Sequence, residues 1–314
     1  MYYWLLAPLY RLTEVLPFLS RVWFLRLASL LIASALVPFG FLAAREAFQS
    51  DGKALGLVIT VIAMPQLMMT VGRIANDSLA VPLGALLVFL LLRSLRQPPS
   101  FARSIVLGVT LGVALLTKAY FLALVPPTLG CLFPGRRARV AWRHAAIVFV
   151  LAALIAGWWY ARNWQLTQSL SGEQLEVVGS RSGVPLLQAI TTVAWTKAID
   201  FVLVSQIWLG NWSFLVVRSW MYHCFYVLLA GASIGLIIRF VKPGGDLPDG
   251  RQLLLLMAIS LTFRAALAYH VVRSFQSQGI SATFGYYAFA IVFAEAILLC
   301  TGGEALAPAR RSGL

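Results

Sequence analysis

The sequence predicts an all-α, polytopic integral membrane protein: residues 1–314 as one bundle of about nine transmembrane helices, with interfacial helices at its edge. Three observations predict it. The chain is 60% hydrophobic and 11% charged, with a mean hydropathy of +0.83, whereas soluble domains carry roughly 25% charge. Apolar runs of roughly 15–20 residues recur along its length. The net charge of +14 comes almost wholly from arginines scattered at the ends of those runs. That placement suits the cytoplasmic bias of Lys and Arg beside membrane spans. No basic block with interleaved aromatics is present, so a nucleic-acid partner is not expected.

The first uncharged run is 27–43. Further spans are predicted at 54–72, 74–92, 104–117, 119–133, 145–160, 220–238, 253–270 and 282–300. Arg93, Arg96 and Arg103 follow one span, and Arg136, Arg137, Arg139 and Arg143 follow another. Both clusters are expected in the cytoplasm. The segment between them must then cross twice or not at all. Two short helices meeting at Lys118 on the outer side satisfy this, each covering only about 20–23 Å at roughly 1.5 Å per residue. The same rule puts 73–77, the long stretch 161–219 and 271–281 outside. It puts 239–252 and the tail with Arg310 and Arg311 inside, so the C-terminus is cytoplasmic. Within 161–219, the semi-apolar segment 201–217 reads as another span or, better suited to its Gln206, Trp208, Gly210, Asn211 and Trp212, as an interfacial helix.

This topology leaves residues 1–26 as an outer interfacial segment, although they hold Arg11, Arg21 and Arg26 and no export signal. The expectation is that a further helix and loop precede Met1. Cys131, Cys224 and Cys300 lie singly in or beside apolar runs and read as packing residues. His144, His223 and His270 lack ligand spacing, so no metal site is expected. No Gly-rich phosphate loop, nucleophile elbow or zinc motif occurs, and no cofactor is expected.

The acids expected outside are Glu14, Asp77, Glu173, Glu176 and Asp200; the cations there include Arg73, Lys118, Arg162, Arg181, Arg264 and Arg273. Cations at the outer leaflet suit a lipid phosphate. Lys118, sunk between short apolar helices, reads either as a functional cation or as a snorkelling lysine at a helix end. Asn76 and Asp77 open a helix; Asp77 reads as a cap, or as an acid lining an outward cavity beside Arg73. Trp158, Trp159, Arg162 and Asn163 end a span, as an aromatic anchor or as a wall of a site. Arg264, inside a span, needs a partner, and Glu295 is the candidate.

An ordered series runs through most of the chain: Tyr2-Tyr3-Trp4-Leu5-Leu6, Asn76-Asp77-Ser78, Leu115-Leu116-Thr117-Lys118-Ala119, then Gly157-Trp158-Trp159-Tyr160-Ala161-Arg162-Asn163. The series resembles the bacterial multi-spanning GT-C glycosyltransferases that use polyprenyl-phosphate sugars, in their protein mannosyltransferase-like and aminoarabinose transferase-like branches. Trp208-Leu209-Gly210-Asn211-Trp212-Ser213 also resembles a loop pattern of a sister family of membrane proteins.

The resemblance implies a bacterial inner-membrane enzyme that moves a sugar from a polyprenyl-phosphate carrier to a glycan, lipid or protein acceptor at the periplasmic face. It implies that a carboxylate in the first outer loop acts as general base and that cations stabilise the departing lipid phosphate. That loop lies before the Tyr-Tyr motif in the family, so the catalytic acid is expected upstream of Met1. By position, Lys118 matches the family's lysine and Arg162 the arginine after the paired tryptophans. Where the family often has Gly-Arg-Tyr, this chain reads Gly285-Tyr286-Tyr287, with Arg273 the candidate replacement cation. The substrate-binding set is therefore Arg73, Asn76, Asp77, Lys118, Trp159, Arg162, Arg273 and Tyr287. The alternative is a non-enzymatic membrane protein: a transporter of lipid-linked cargo or an assembly partner.

Overall fold

The structure, a computed structural model, describes residues 1–133, 138–170, 184–208, 217–241 and 248–306. All regular structure among them is helical. Helix α1 (Tyr2–Leu12) folds back onto α2 (Phe18–Ser34), and the Tyr2 hydroxyl meets Ser29 Oγ at 2.6 Å. With α3 (Leu36–Phe48), α2 makes an apolar stretch of 31 residues. The expected span 27–43 is thus only its middle, and residues 18–26 belong to the helix. Helices α4 (Asp51–Ile62) and α5 (Pro65–Val71) meet at a 72° bend. Pro65 opens α5, where its missing N–H leaves no bond unmade.

Helix α6 (Asp77–Arg96) is the central element, buried along most of its length. Its Gly84 lets the backbone of Ala290 approach so closely that an added Cβ would stand 1.7 Å from the Ala290 carbonyl oxygen. Helices α7 (Phe101–Thr117) and α9 (Ala138–Thr167) run parallel. Ser104 Oγ meets His144 Nδ1 at 2.7 Å near their starts, Gly108 lies against Val148, and the Tyr160 hydroxyl donates to the Leu115 carbonyl at 2.9 Å. A 3-10 turn (Ala119–Leu124) and α8 (Val125–Leu132) make the return between them. Arg93, Arg96, Arg103, Arg139 and Arg143 therefore gather at one end of the bundle, and Lys118 lies at the other. Arg136 and Arg137 fall outside the described residues.

Helix α9 runs on past Trp159 and Arg162 to Thr167, where Gln168 turns left-handed (φ 53°). The helix thus outruns the expected span 145–160 at both ends, and no proline or glycine lies at 158–167 to break it. Helices α10 (Leu186–Thr192) and α11 (Trp195–Ile207) form a second bent pair, at 76°. The interfacial reading of 201–217 is not borne out in its described part. Through Ile207 the segment docks into the bundle, with Gly285 against the backbone of Val202 and its N–H donating to Ser205 Oγ at 2.7 Å. Residues 209–216 lie outside the described residues.

Helices α12 (Ser219–Val241) and α13 (Gly250–Gln278), a 3-10 turn (Gly285–Ile291) and α14 (Val292–Leu306) complete the bundle. Asp249 and Gln252 cap α13 reciprocally. Fully buried, Gln252 also accepts from Arg96 at 3.2 Å and donates to the Glu46 carbonyl at 3.3 Å. The start of α13 is thereby fixed at the arginine end.

Among the described residues, six helices are long and apolar enough to cross a membrane, or up to eight if each bent pair is one span. The expected nine exceeds this because it includes 104–117 and 119–133, whose helices are both too short to cross alone. The bent pair α10–α11, in turn, is not among the expected nine.

Candidate functional site

The Lys118 end of the bundle holds a buried ionic cluster. Helix α7 stops at Thr117, and Lys118 is extended (φ −151°, ψ 137°) before the 3-10 turn begins. This break points the side chain across to the start of α6. There Lys118 Nζ stands 2.6 Å from Asp77 Oδ1, both side chains largely buried at 14% and 7% exposure. Arg73 approaches the other carboxylate oxygen at 3.8 Å. Ser78 Oγ donates to the carbonyls of Val71 and Arg73, at 2.8 and 3.1 Å, and holds the turn that carries Arg73. Asn76 Nδ2 donates to the Thr117 carbonyl at 3.3 Å, tying that turn to the end of α7.

Aromatic rings close over the cations. Lys118 Nζ lies 5.1 Å from the Tyr120 ring centroid and 5.3 Å from that of Tyr287. Arg73 lies 5.3 Å from the Tyr286 ring. Such rings attract a desolvated cation through their negative faces. Tyr120 also packs edge-on against Phe263, and Tyr287 against His270, whose Nδ1 meets Thr283 Oγ1 at 3.0 Å. The buried Tyr120 hydroxyl has no hydrogen-bond partner among the described residues.

Of the residues singled out in the sequence, the structure brings together Arg73, Asn76, Asp77, Lys118 and Tyr287. Of the two readings of Asp77, the cap is corrected and the pairing with Arg73 is seen. Asn76 is the N-cap, no side chain caps α6, and the Asp77 carboxylate is turned to the two cations instead. Burial explains the change, since a buried ammonium needs a counter-ion more than an N-terminus needs a cap. Arg162 and Trp159 lie at the same end of α9 but outside this cluster, with the exposed guanidinium 5.5 Å from the Trp159 ring. Arg273 sits far along α13 and donates to Gln276 Oε1 at 3.0 Å. Gln276 in turn donates to the Val184 carbonyl at 2.8 Å. Glu173, Glu176 and Arg181 fall outside the described residues.

Two residues of the cluster escaped the sequence reading. Tyr120 was legible only as the aromatic two places after Lys118. Tyr286 stands where the resembled family often has an arginine, and its ring is what Arg73 rests on.

A second polar network lies between α11, α13 and α14. Arg264 makes bonds of 2.6 and 2.9 Å to Glu295 Oε1, the pairing expected from sequence. Gln206 completes it, donating to Glu295 Oε2 and accepting from Arg264, both at 2.8 Å. Among the described residues no three His, Cys, Asp or Glu side chains converge as metal ligands would.

The chain matches no family model, no curated protein and no solved structure.

Proposed function

We propose that the chain is a membrane-embedded glycosyltransferase that takes a sugar from a polyprenyl-phosphate carrier and holds the carrier's phosphate at Lys118 and Arg73. The supporting observation is the placement of Lys118. It is a buried cation at the break between two helices too short to cross a bilayer, beside a second cation and under two tyrosine rings. Intramembrane charges of this kind are costly and mark functional positions. A departing phosphate gains most from fixed cations where water is scarce. The tyrosine rings exclude water, and their hydroxyls can donate to phosphate oxygens. The ordered motifs around Asn76, Lys118 and Arg162 resemble those of polyprenyl-phosphate sugar transferases, and this gives the reaction class. The bacterial inner membrane as location, the acceptor on the outer side and a cytoplasmic C-terminus belong to the same proposal.

In this reading Asp77 is the counter-ion of the cluster rather than the general base, because both its oxygens face cations. That double engagement is also what favours the second reading, a non-enzymatic carrier of lipid-linked cargo. It would need the phosphate site and no base.

The test supplies membranes containing the full chain with radiolabelled polyprenyl-phosphate hexoses and pentoses. Label is then followed into glycan, lipid and protein fractions. Lys118→Ala is expected to lower transfer roughly a hundredfold at equal protein level. Transfer undiminished in Lys118→Ala would remove Lys118 from the site. Retention of labelled carrier without any transfer by the unaltered chain would establish the carrier reading instead.

A further inference from the structure

We propose that the face between α8 and α9, at the arginine end of the bundle, holds one anionic phospholipid. Its acyl chain lies in an apolar groove, and its phosphate rests on Arg139 and Arg143. This site is separate from the Lys118 cluster, which lies at the opposite end of α9, and it does not depend on the reaction proposed above.

The groove has a volume of about 370 Å³ and is lined by Leu129 of α8 and by Trp142, Ala146, Phe149, Val150 and Ala153 of α9, among others. That volume falls within the roughly 300–1,000 Å³ of small-molecule sites. Its origin is local. Helix α8 is only eight residues long and follows a 3-10 turn. The α9 stripe facing it is rich in alanine, so the two helices leave a channel that no side chain fills. Every lining residue is apolar, and Trp142 and Val150 are 62% and 57% exposed. Within a bilayer such a channel meets hydrocarbon, not water.

Length and charge identify the occupant. From Trp142 to Ala153 the stripe rises about 17 Å at about 1.5 Å per residue. That is close to one leaflet of hydrocarbon, roughly half of the ~30 Å core. Arg143 follows Trp142 at the start of the stripe, about 100° round the helix, and Arg139 lies one turn before it toward the arginine end; both are exposed. Trp142 packs edge-on against Phe133 at 4.9 Å and marks the depth of the interface, where tryptophan concentrates. The guanidiniums therefore stand at headgroup depth at the mouth of a channel one acyl chain long. Arginine pairs with phosphate oxygens through two N–H groups, and basic pockets between helices hold anionic headgroups in this way. A zwitterionic lipid would fill the channel, but its own ammonium would stand beside the two guanidiniums and cancel most of their attraction for its phosphate.

The experiment reconstitutes the full chain into nanodiscs of phosphatidylcholine mixed with phosphatidylglycerol, extracts it gently and reads the retained lipid by native mass spectrometry. Phosphatidylglycerol is expected to be retained over phosphatidylcholine. The preference should fall tenfold or more in the Arg139→Ala/Arg143→Ala variant, at about 1 kcal/mol per arginine. Ala146→Trp, which fills an exposed part of the channel, should abolish retention of either lipid. Melting temperatures in detergent establish that each variant is folded. Equal retention of both lipids, an unchanged preference in the double arginine variant, or a second copy of the chain bound in place of lipid would each overturn the proposal.

Discussion

Asp77 and Lys118 make the sharpest statement at the scale of single residues. Their 2.6 Å contact is largely buried, so each charge depends on the other to offset its lost hydration. Asp77→Ala should therefore destabilise the protein by about 3–5 kcal/mol, read from denaturant unfolding in detergent micelles. The double variant Asp77→Asn/Lys118→Met removes both charges and is expected to lose much less, because a well-packed neutral pair can replace a buried ion pair at little cost. Losses that simply add would show that the ammonium is not held by this carboxylate. The double variant also separates folding from the proposed sugar transfer, since it should stay folded yet lose that transfer as Lys118→Ala should. Lys118 was legible in the sequence because a charge in the middle of an apolar stretch of about 30 residues stands out. Its partner was not, because Asp77 lies 41 positions away and opens a helix, where a cap is the local explanation.

At the scale of elements, close backbone approach holds the site in place. The 3-10 turn Gly285–Ile291 carries Tyr286 and Tyr287, and it sits against α6 where Gly84 leaves room. Gly84→Ala would drive a Cβ into the Ala290 carbonyl, and overpacking of this kind costs about 1–3 kcal/mol. Gly56, on α4, has nothing within 4 Å of an added Cβ, so Gly56→Ala should be neutral or stabilise by up to about 1 kcal/mol through helix propensity. Thermal unfolding of the pair checks this: equal effects would mean that α6 and the turn are not in contact as described. The Arg264–Glu295–Gln206 network acts on the other side of the same turn, joining α11 to α13 and α14. Periodicity and loop charge were enough to place Arg264 and Glu295 on neighbouring spans. The third member, Gln206, lay in a segment whose polar residues favoured an interfacial reading, and tertiary docking overrode that.

For the whole molecule, the parallel packing of α7 on α9 and the anchoring of α13 through Gln252 give the bundle two chemically distinct ends. In a background lacking Cys131, Cys224 and Cys300, cysteines at Ser100 and Arg139 should be labelled by an impermeant thiol reagent from one side of the membrane. Cysteines at Arg162 and Gln278 should be labelled from the other. Labelling of all four from one side would refute this arrangement. Helical class, membrane character and the grouping of the arginines were determined by the sequence alone. Hydropathy and loop charge are local quantities that the bilayer reads segment by segment. The lengths and breaks of the apolar helices, the bends at Pro65 and near Val193, and the identity of the ionic partners were decided only in the tertiary structure. Those depend on which surfaces come within a few ångströms after packing, and a buried charge takes its counter-ion from whatever helix the fold brings near it, however distant in the chain.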